Sequence, residues 1–306
     1  MSAAATEPRR CGFVAVLGAP NAGKSTLVNR LVGAKVSIVS PRVQTTRNRV
    51  SGIAVRGPAQ IVFVDTPGIF AAPRRRLERA MVDAAWRALA DADAVLVVVD
   101  AARRDIDDDT RAILGALKEK GRRALVALNK IDLIARKDAL LAKAKAVDDT
   151  GAADRIFMVS AEKGDGVDDL LAHVASLMPE GPWHYPEDQL SDMPQRLLAA
   201  EIVREQLFAR LYQELPHAVA VETESWQEFK NGSVRVAAAI YVERDSQRAI
   251  VLGKGGAMIR AIGEAARKEL KEILGRDVHL ALRVKTRTDW PESRELFEAW
   301  GLEWKA

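Results

Sequence analysis

Gly18-Ala19-Pro20-Asn21-Ala22-Gly23-Lys24-Ser25 is the stretch from which the architecture can be read. It fits G-x-x-x-x-G-K-[ST], follows an apolar run at residues 13–17 and opens a helix expected over residues 26–32, beginning at Thr26. Backbone N–H groups of such a loop, with those of the helix N-terminus, cradle phosphates. Lys24 is expected to reach the β- and γ-phosphates, and the Ser25 hydroxyl to ligate Mg²⁺. Outward from the loop, apolar runs recur at residues 61–64, 95–99, 125–128 and 156–159, with helical patterns at 77–89, 110–120, 138–147 and 167–177 between them. Runs apolar on both faces mark the central strands of a mostly parallel sheet. Their alternation with helices predicts a doubly wound α/β domain whose ligands sit at the carboxyl ends of the strands.

Three of the later strands end in groups that suit a nucleotide. Asp65-Thr66-Pro67-Gly68 follows residues 61–64, where Asp65 can hold Mg²⁺ through water and the Gly68 N–H can sense a γ-phosphate. Asn129-Lys130-Ile131-Asp132 follows residues 125–128. The Asp132 carboxylate matches the guanine N1–H and N2–H₂ donors, whereas adenine would leave it unpaired. Asn129 ties loops together, and the Lys130 stem covers the base. Ser160-Ala161 offers the Ala161 N–H to guanine O6. Four motifs in order, each after its own strand, point to GTP and GDP as ligands. In Gln44-Thr45-Thr46-Arg47, Thr45 and Thr46 are the candidates to complete the Mg²⁺ shell, with Thr46 favoured.

Hydrolysis needs an oriented water, which Ras-like switches supply with a glutamine after the Asp-x-x-Gly turn. Here Ile69 and Phe70 follow Gly68, and neither can hydrogen-bond a water. Slow intrinsic turnover is therefore expected, with Lys24, Thr46, Gly68 and Asn21 as the catalytic set. The Asn21 carbonyl is a candidate ligand for K⁺ against the phosphates.

Length and composition set the remaining bounds. The chain has 306 residues and a formal net charge of +4, with 48% hydrophobic and 29% charged residues, as in ordinary globular proteins that fill two domains. No apolar run reaches the roughly 18–20 residues of a membrane span. Residues 1–10 carry no apolar signal core, and the single cysteine, Cys11, excludes an intrachain disulfide, so a cytoplasmic location is expected. Proline-rich residues 179–194 read as a linker. Beyond them the order changes to α-β-β-α-α-β: a helix over 195–215, strands over 218–224 and 233–242 joined at Asn231-Gly232, a helical stretch over 248–274 interrupted at 253–256, and a strand over 278–285. Gly253-Lys254-Gly255-Gly256 fits the G-x-x-G loop with which KH domains clamp about four single-stranded nucleotides. Residues 248–287 hold ten basic and four acidic side chains. Arg260, Arg267 and Lys271 share one helical face, opposite an apolar face formed by Ile259, Ile262, Ala266, Leu270 and Ile273.

Taken together these motifs, with Tyr185-Pro186-Glu187-Asp188 and Glu214-Leu215-Pro216, resemble the Era family of bacterial GTPases over residues 10–290. The resemblance implies a P-loop GTPase domain with a mixed, mostly parallel sheet over residues 10–178, a linker over 179–194, a small α+β type II KH domain over 195–289 and a tail over 290–306. It implies binding to the 3′ end of 16S ribosomal RNA and a role in maturation of the 30S subunit. It also implies family behaviour that includes peripheral inner-membrane association; a monomer is expected. Gly255 departs from the family, where a side chain is common, and leaves Lys254 as the loop's one charged side chain. Two rival readings are an RNA-binding regulator with GTP as a structural ligand and a subunit of an RNA-modification enzyme. No added nucleophile, metal cluster or flavin motif supports the second.

Overall fold

A six-stranded sheet, with strands in the order 50–56, 59–65, 10–17, 94–100, 124–129 and 153–158, carries the first half of the chain, and a three-stranded sheet carries the second. The computed structural model describes residues 8–40, 50–69, 75–212 and 215–304. Gln44, Thr45, Thr46, Arg47, Phe70 and Glu214 lie outside the described residues. Two compact units separate. One comprises residues 8–37, 50–69, 75–192 and 300–304; the other comprises 38–40, 193–212 and 215–299.

In the first unit the elements run β1 (Arg10–Leu17), α1 (Lys24–Val32), β2 (Val50–Arg56), β3 (Ala59–Asp65), α2 (Arg76–Ala90), β4 (Ala94–Asp100), α3 (Asp108–Glu119), β5 (Ala124–Asn129), α4 (Lys137–Asp148), β6 (Ala153–Met158) and α5 (Val167–Leu177). All pairings are parallel except β2 with β3. Alternate residues of the central strands face opposite layers. Leu96 and Val98 join Leu27, Val28 and Leu170 on one side, and Val95, Val97 and Val99 join Leu89, Ile113 and Leu117 on the other. Burial on both faces is why these strands read as continuous apolar runs. The antiparallel β2 has no such run, because Ser51 and Gly52 interrupt it, and the sequence pattern does not reveal it.

The proline-rich linker is strapped onto the edge strand β2 and its neighbour. Ile53 N–H donates to Leu190 O at 2.9 Å, Ser51 N–H to Asp192 Oδ1 at 3.2 Å, and Trp183 Nε1 to Pro58 O at 3.0 Å. Gln60, fully buried in β3, accepts the His184 and Tyr185 N–H groups on Oε1 at 2.9 and 3.0 Å and donates Nε2 to Tyr185 O at 2.8 Å. A sheet edge left bare would offer unpaired backbone groups to other chains.

The second unit contains α6 (Gln195–Arg210), β7 (Val219–Glu228), β8 (Val234–Val242), α7 (Asp245–Leu252), α8 (Ala257–Leu274), β9 (Val278–Thr286) and α9 (Arg294–Ala299). β8 lies in the centre, antiparallel to β7 and parallel to β9, the latter through a crossover made of α7 and α8. Val203 and Leu207 of α6, and Ile262, Ala266 and Leu270 of α8, pack on Val234, Val236, Ala238 and Ile240. The first helix is shorter than the pattern over 195–215 predicts. Leu211 turns to an extended backbone (φ −90°, ψ 151°) and its side chain is buried in the core.

Replacing Gln60 with leucine leaves two partly buried N–H groups of the strap without an acceptor. Urea denaturation of Gln60→Leu should show a loss of about 2–3 kcal/mol; an unchanged midpoint would mean that the strap contributes nothing to stability.

Candidate functional site

In the first unit, Asp65, Asp100 and Asn129 all stand at carboxyl ends of strands, beside the turn from β1 into α1. Gly23 caps α1 with a left-handed backbone (φ 94°), and no carboxylate occupies the first turn of that helix. A Cβ at Gly23 would lie 2.3 Å from Asn129 Nδ2, so only glycine lets the loop approach Asn129 this closely. Lys24 is buried, and its ammonium donates to Gly18 O at 3.1 Å and Ala19 O at 3.0 Å. Burial lowers its pKa to about 8 against the opposing pull of the Asp65 carboxylate. An anion in the loop would favour the charged form.

Asp65 Oδ2 accepts two hydroxyls, Ser25 Oγ at 2.7 Å and Ser37 Oγ at 2.9 Å. The donor set of hydroxyl and carboxylate is hard oxygen, as Mg²⁺ requires, and the residues present fit that ion. Ser37 is held by Asn29, whose Oδ1 accepts the Val36 and Ser37 N–H groups at 2.9 Å. Thr66 Oγ1 anchors the next turn on Val16 O at 2.7 Å, ahead of Pro67 and Gly68. Ile69 N–H donates to Gly18 O at 3.3 Å, and its side chain is buried with Leu17, Ala85 and Leu89. It therefore faces the core instead of the phosphates.

The purine end is braced from several directions. Asn129 Nδ2 donates to Ala22 O, and Asn129 Oδ1 accepts the Ala161 N–H, both at 3.0 Å. The Ala161 N–H, expected to meet guanine O6, is here donated to the Asn129 amide oxygen. Ser160 Oγ donates to Asp132 Oδ1 at 2.6 Å and accepts the Lys163 N–H at 3.0 Å, which aims the carboxylate. Lys130 Nζ lies 2.7 Å from both Asn21 O and Asp100 Oδ2. Ile131 begins a short 3₁₀ turn and packs partly against the core. Arg30 donates to Ala161 O at 3.0 Å and Glu162 O at 2.5 Å, and lines a cavity with Thr26 and Asn29. Arg30, Ser37 and Asp100 are not legible as site residues in the sequence. Only the aspartate closing an apolar strand gives a signal, and that signal is shared by many turns.

In the second unit, Gly253 (φ 70°) and Gly255 (φ 59°) both hold left-handed φ values in the turn from α7 into α8. A Cβ at Gly253 would strike Met258, whereas space is open at Gly255, where the backbone alone disfavours a side chain. Lys254 is exposed, and Arg260 Nη2 donates to Gly255 O at 2.9 Å. Arg267 lies with Phe229, Arg235 and His279 around one surface cavity. Lys271 is paired with Asp277 at 2.7 Å. Ile250, more than half exposed on α7, adds an apolar side chain close to the loop in sequence. Among the described residues no helix is long and apolar enough to cross a membrane.

Comparison with known proteins matches both units. A family model described as a 50S ribosome-binding GTPase matches residues 13–130, and one described as a KH domain matches residues 214–291. The chain is 57% identical over 302 residues to GTPase Era of Rhizobium meliloti strain 1021, covering 99% of this chain and 96% of that protein. It is 54% identical over 311 residues to GTPase Era of Caulobacter vibrioides strain NA1000 / CB15N, covering 97% and 98%. It is similar to the crystal structure of Era in complex with MgGDPNP and nucleotides 1506–1542 of 16S ribosomal RNA, with TM-score 0.90, 36% identity, and 96% of this chain and 99% of that one covered. A variant of Aquifex aeolicus Era bound to GDP and AlF₄⁻ matches with TM-score 0.90 and 37% identity, over 95% and 99% of the two chains.

Ser160→Ala removes a hydroxyl from the Asp132 carboxylate. Fluorescent guanine nucleotides should bind about tenfold more weakly, as expected when a hydrogen bond to a charged group is lost. Unchanged affinity would show that Asp132 is aimed without Ser160.

Proposed function

The chain belongs to the Era family of GTPases, and from that premise we propose a GTP-hydrolysing switch whose KH unit holds the 3′ end of 16S ribosomal RNA during maturation of the 30S subunit. The observation that carries the reading is that one chain joins a braced guanine site to a glycine loop with an exposed lysine. Residues 18–26 take the phosphates, and residues 65–69, 129–132 and 160–161 complete the nucleotide site. Ser25 and Asp65 would hold Mg²⁺, with Thr46 as the γ-phosphate-dependent ligand. Bound there, the ion supplies charge neutralisation to the β- and γ-phosphates.

The chain's own groups account for the rest of the reaction. Lys24 neutralises phosphate charge, and the Gly68 N–H reports the γ-phosphate to the segment that leads into α2. Ile69 is turned into the core, so no side chain at that position orients the attacking water. Intrinsic turnover is slow for that reason. The Asn21 side-chain carbonyl, an oxygen donor at the mouth of the phosphate loop, suits K⁺ in the place an arginine finger takes elsewhere. Turnover should be faster in K⁺ than in Na⁺ at equal ionic strength; equal rates would remove this role from Asn21.

RNA reaches the second unit at residues 253–256, where the missing side chains allow a nucleotide backbone to approach and Lys254 supplies charge. Arg260 braces the loop and Arg267 extends the basic face, where Lys271 also lies but is paired with Asp277. Crosslinking and binding to a 16S 3′-end RNA should be stronger with a non-hydrolysable GTP analogue than with GDP. Lys254→Ala should weaken binding and lower the salt slope by about 1. Indifference to both nucleotide and substitution would overturn the coupled switch. Phosphate release that does not rise with that RNA would instead favour GTP as a structural ligand.

A further inference from the structure

Among the described residues, two residues other than glycine hold a left-handed backbone: Asn21 (φ 63°) and Lys130 (φ 68°). The conformation is disfavoured for any residue with a Cβ and persists where its surroundings fix it. These two residues lie in different loops and are joined directly, Lys130 Nζ donating to Asn21 O at 2.7 Å. The same ammonium is paired with Asp100 Oδ2 at 2.7 Å. Asp100 closes β4 and stands opposite Asn129 in the β4–β5 register. Its other oxygen accepts the Ala102 N–H at 2.9 Å, and its side chain is only 11% exposed. Arg103 Nε is farther from the carboxylate, at 3.9 Å, and that guanidinium is also paired with Asp107.

We propose that Asp100, which belongs to none of the sequence motifs, is a positioning residue for the nucleotide. By fixing the Lys130 ammonium it stretches the Lys130 stem across the purine position and pins the Asn21 backbone carbonyl, so one carboxylate sets the base site and the phosphate loop together. The adjoining carbonyl, Ala22 O, is held by Asn129, so Asp100 acts beside a brace that already exists. Without the carboxylate the Lys130 side chain turns to water, and the Asn21 turn loses the donor that holds it. The inference rests on the reading of residues 18–26 and 129–132 as the guanine-nucleotide site.

Asp100→Asn keeps the shape and the acceptor for Ala102 but removes the charge. Its dissociation constants for GTP and GDP should rise roughly fivefold, the scale of a partly exposed ion pair. The deciding measurement is a double-mutant cycle with Lys130→Met, which keeps the stem and removes the ammonium. If Asp100 acts through Lys130, the double variant binds nucleotide no more weakly than Lys130→Met alone. Losses that add would overturn the proposal, since they would mean that Asp100 supports only the turn at Ala102. Asp100→Ser enters the same cycle should Asp100→Asn fail to fold. The ratio of turnover in K⁺ to that in Na⁺ should also move toward one in Asp100→Asn. A wild-type ratio of one would remove the cation role of Asn21 and leave the affinity cycle as the test of Asp100. Failure of the wild-type protein to bind guanine nucleotide at all would instead reject the site itself.

Discussion

The side-chain amide of Asn129 sets the geometry on which the nucleotide unit depends. Its donor face holds Ala22 O in the phosphate loop, and its acceptor face holds the Ala161 N–H in the loop after β6. An aspartate would lack the donor and a leucine would lack both faces. Either change would leave buried backbone groups unpaired at a cost of about 1–3 kcal/mol each. Loops from β1, β5 and β6 thus share one arrangement. Gly23 must stay without a side chain because the amide sits against it, and the direction of Asp132 is fixed by Ser160, next to the residue the amide grips.

Much of this was legible because phosphate and guanine chemistry admit few residue types. Lys24, Ser25, Asp65, Asn129 and Asp132, expected from the sequence, all fall at or just after the carboxyl ends of strands of one sheet, and strands buried on both faces announce themselves as apolar runs. What was hidden acts through contacts that many residue types could make. Ser37 shares the Asp65 oxygen with Ser25, and Arg30 grips two carbonyls, yet a serine or an arginine in those places has no distinguishing pattern. β2 was hidden because it pairs antiparallel at the sheet edge and its apolar run is broken at Ser51 and Gly52. The end of α6 was missed because helical spacing continues past Arg210, while the buried Leu211 turns out of the helix.

The second unit shows how a basic count overstates an electrostatic face. Lys271, Arg276 and Lys285 are paired with Asp277, Glu228 and Glu224. Such exposed pairs contribute little to stability, but they cancel charge that phosphates would otherwise meet. Lys254 stands exposed within the glycine loop, and Arg260 reaches back to its Gly255 carbonyl.

Residues 300–304 belong to the first unit although they follow the second in sequence. Trp300 and Leu302 are buried, Glu303 pairs with Arg87 at 2.5 Å, and Trp304 lies over the Arg76 guanidinium at 4.4 Å, so both ends of α2 are gripped. Translation makes this piece after the second unit. A nascent chain can assemble its nucleotide sheet early, but the helix beyond Gly68 receives its outer cover only after the entire RNA-binding unit has been synthesised. The contacts that complete the nucleotide unit therefore form only once the second unit has been made.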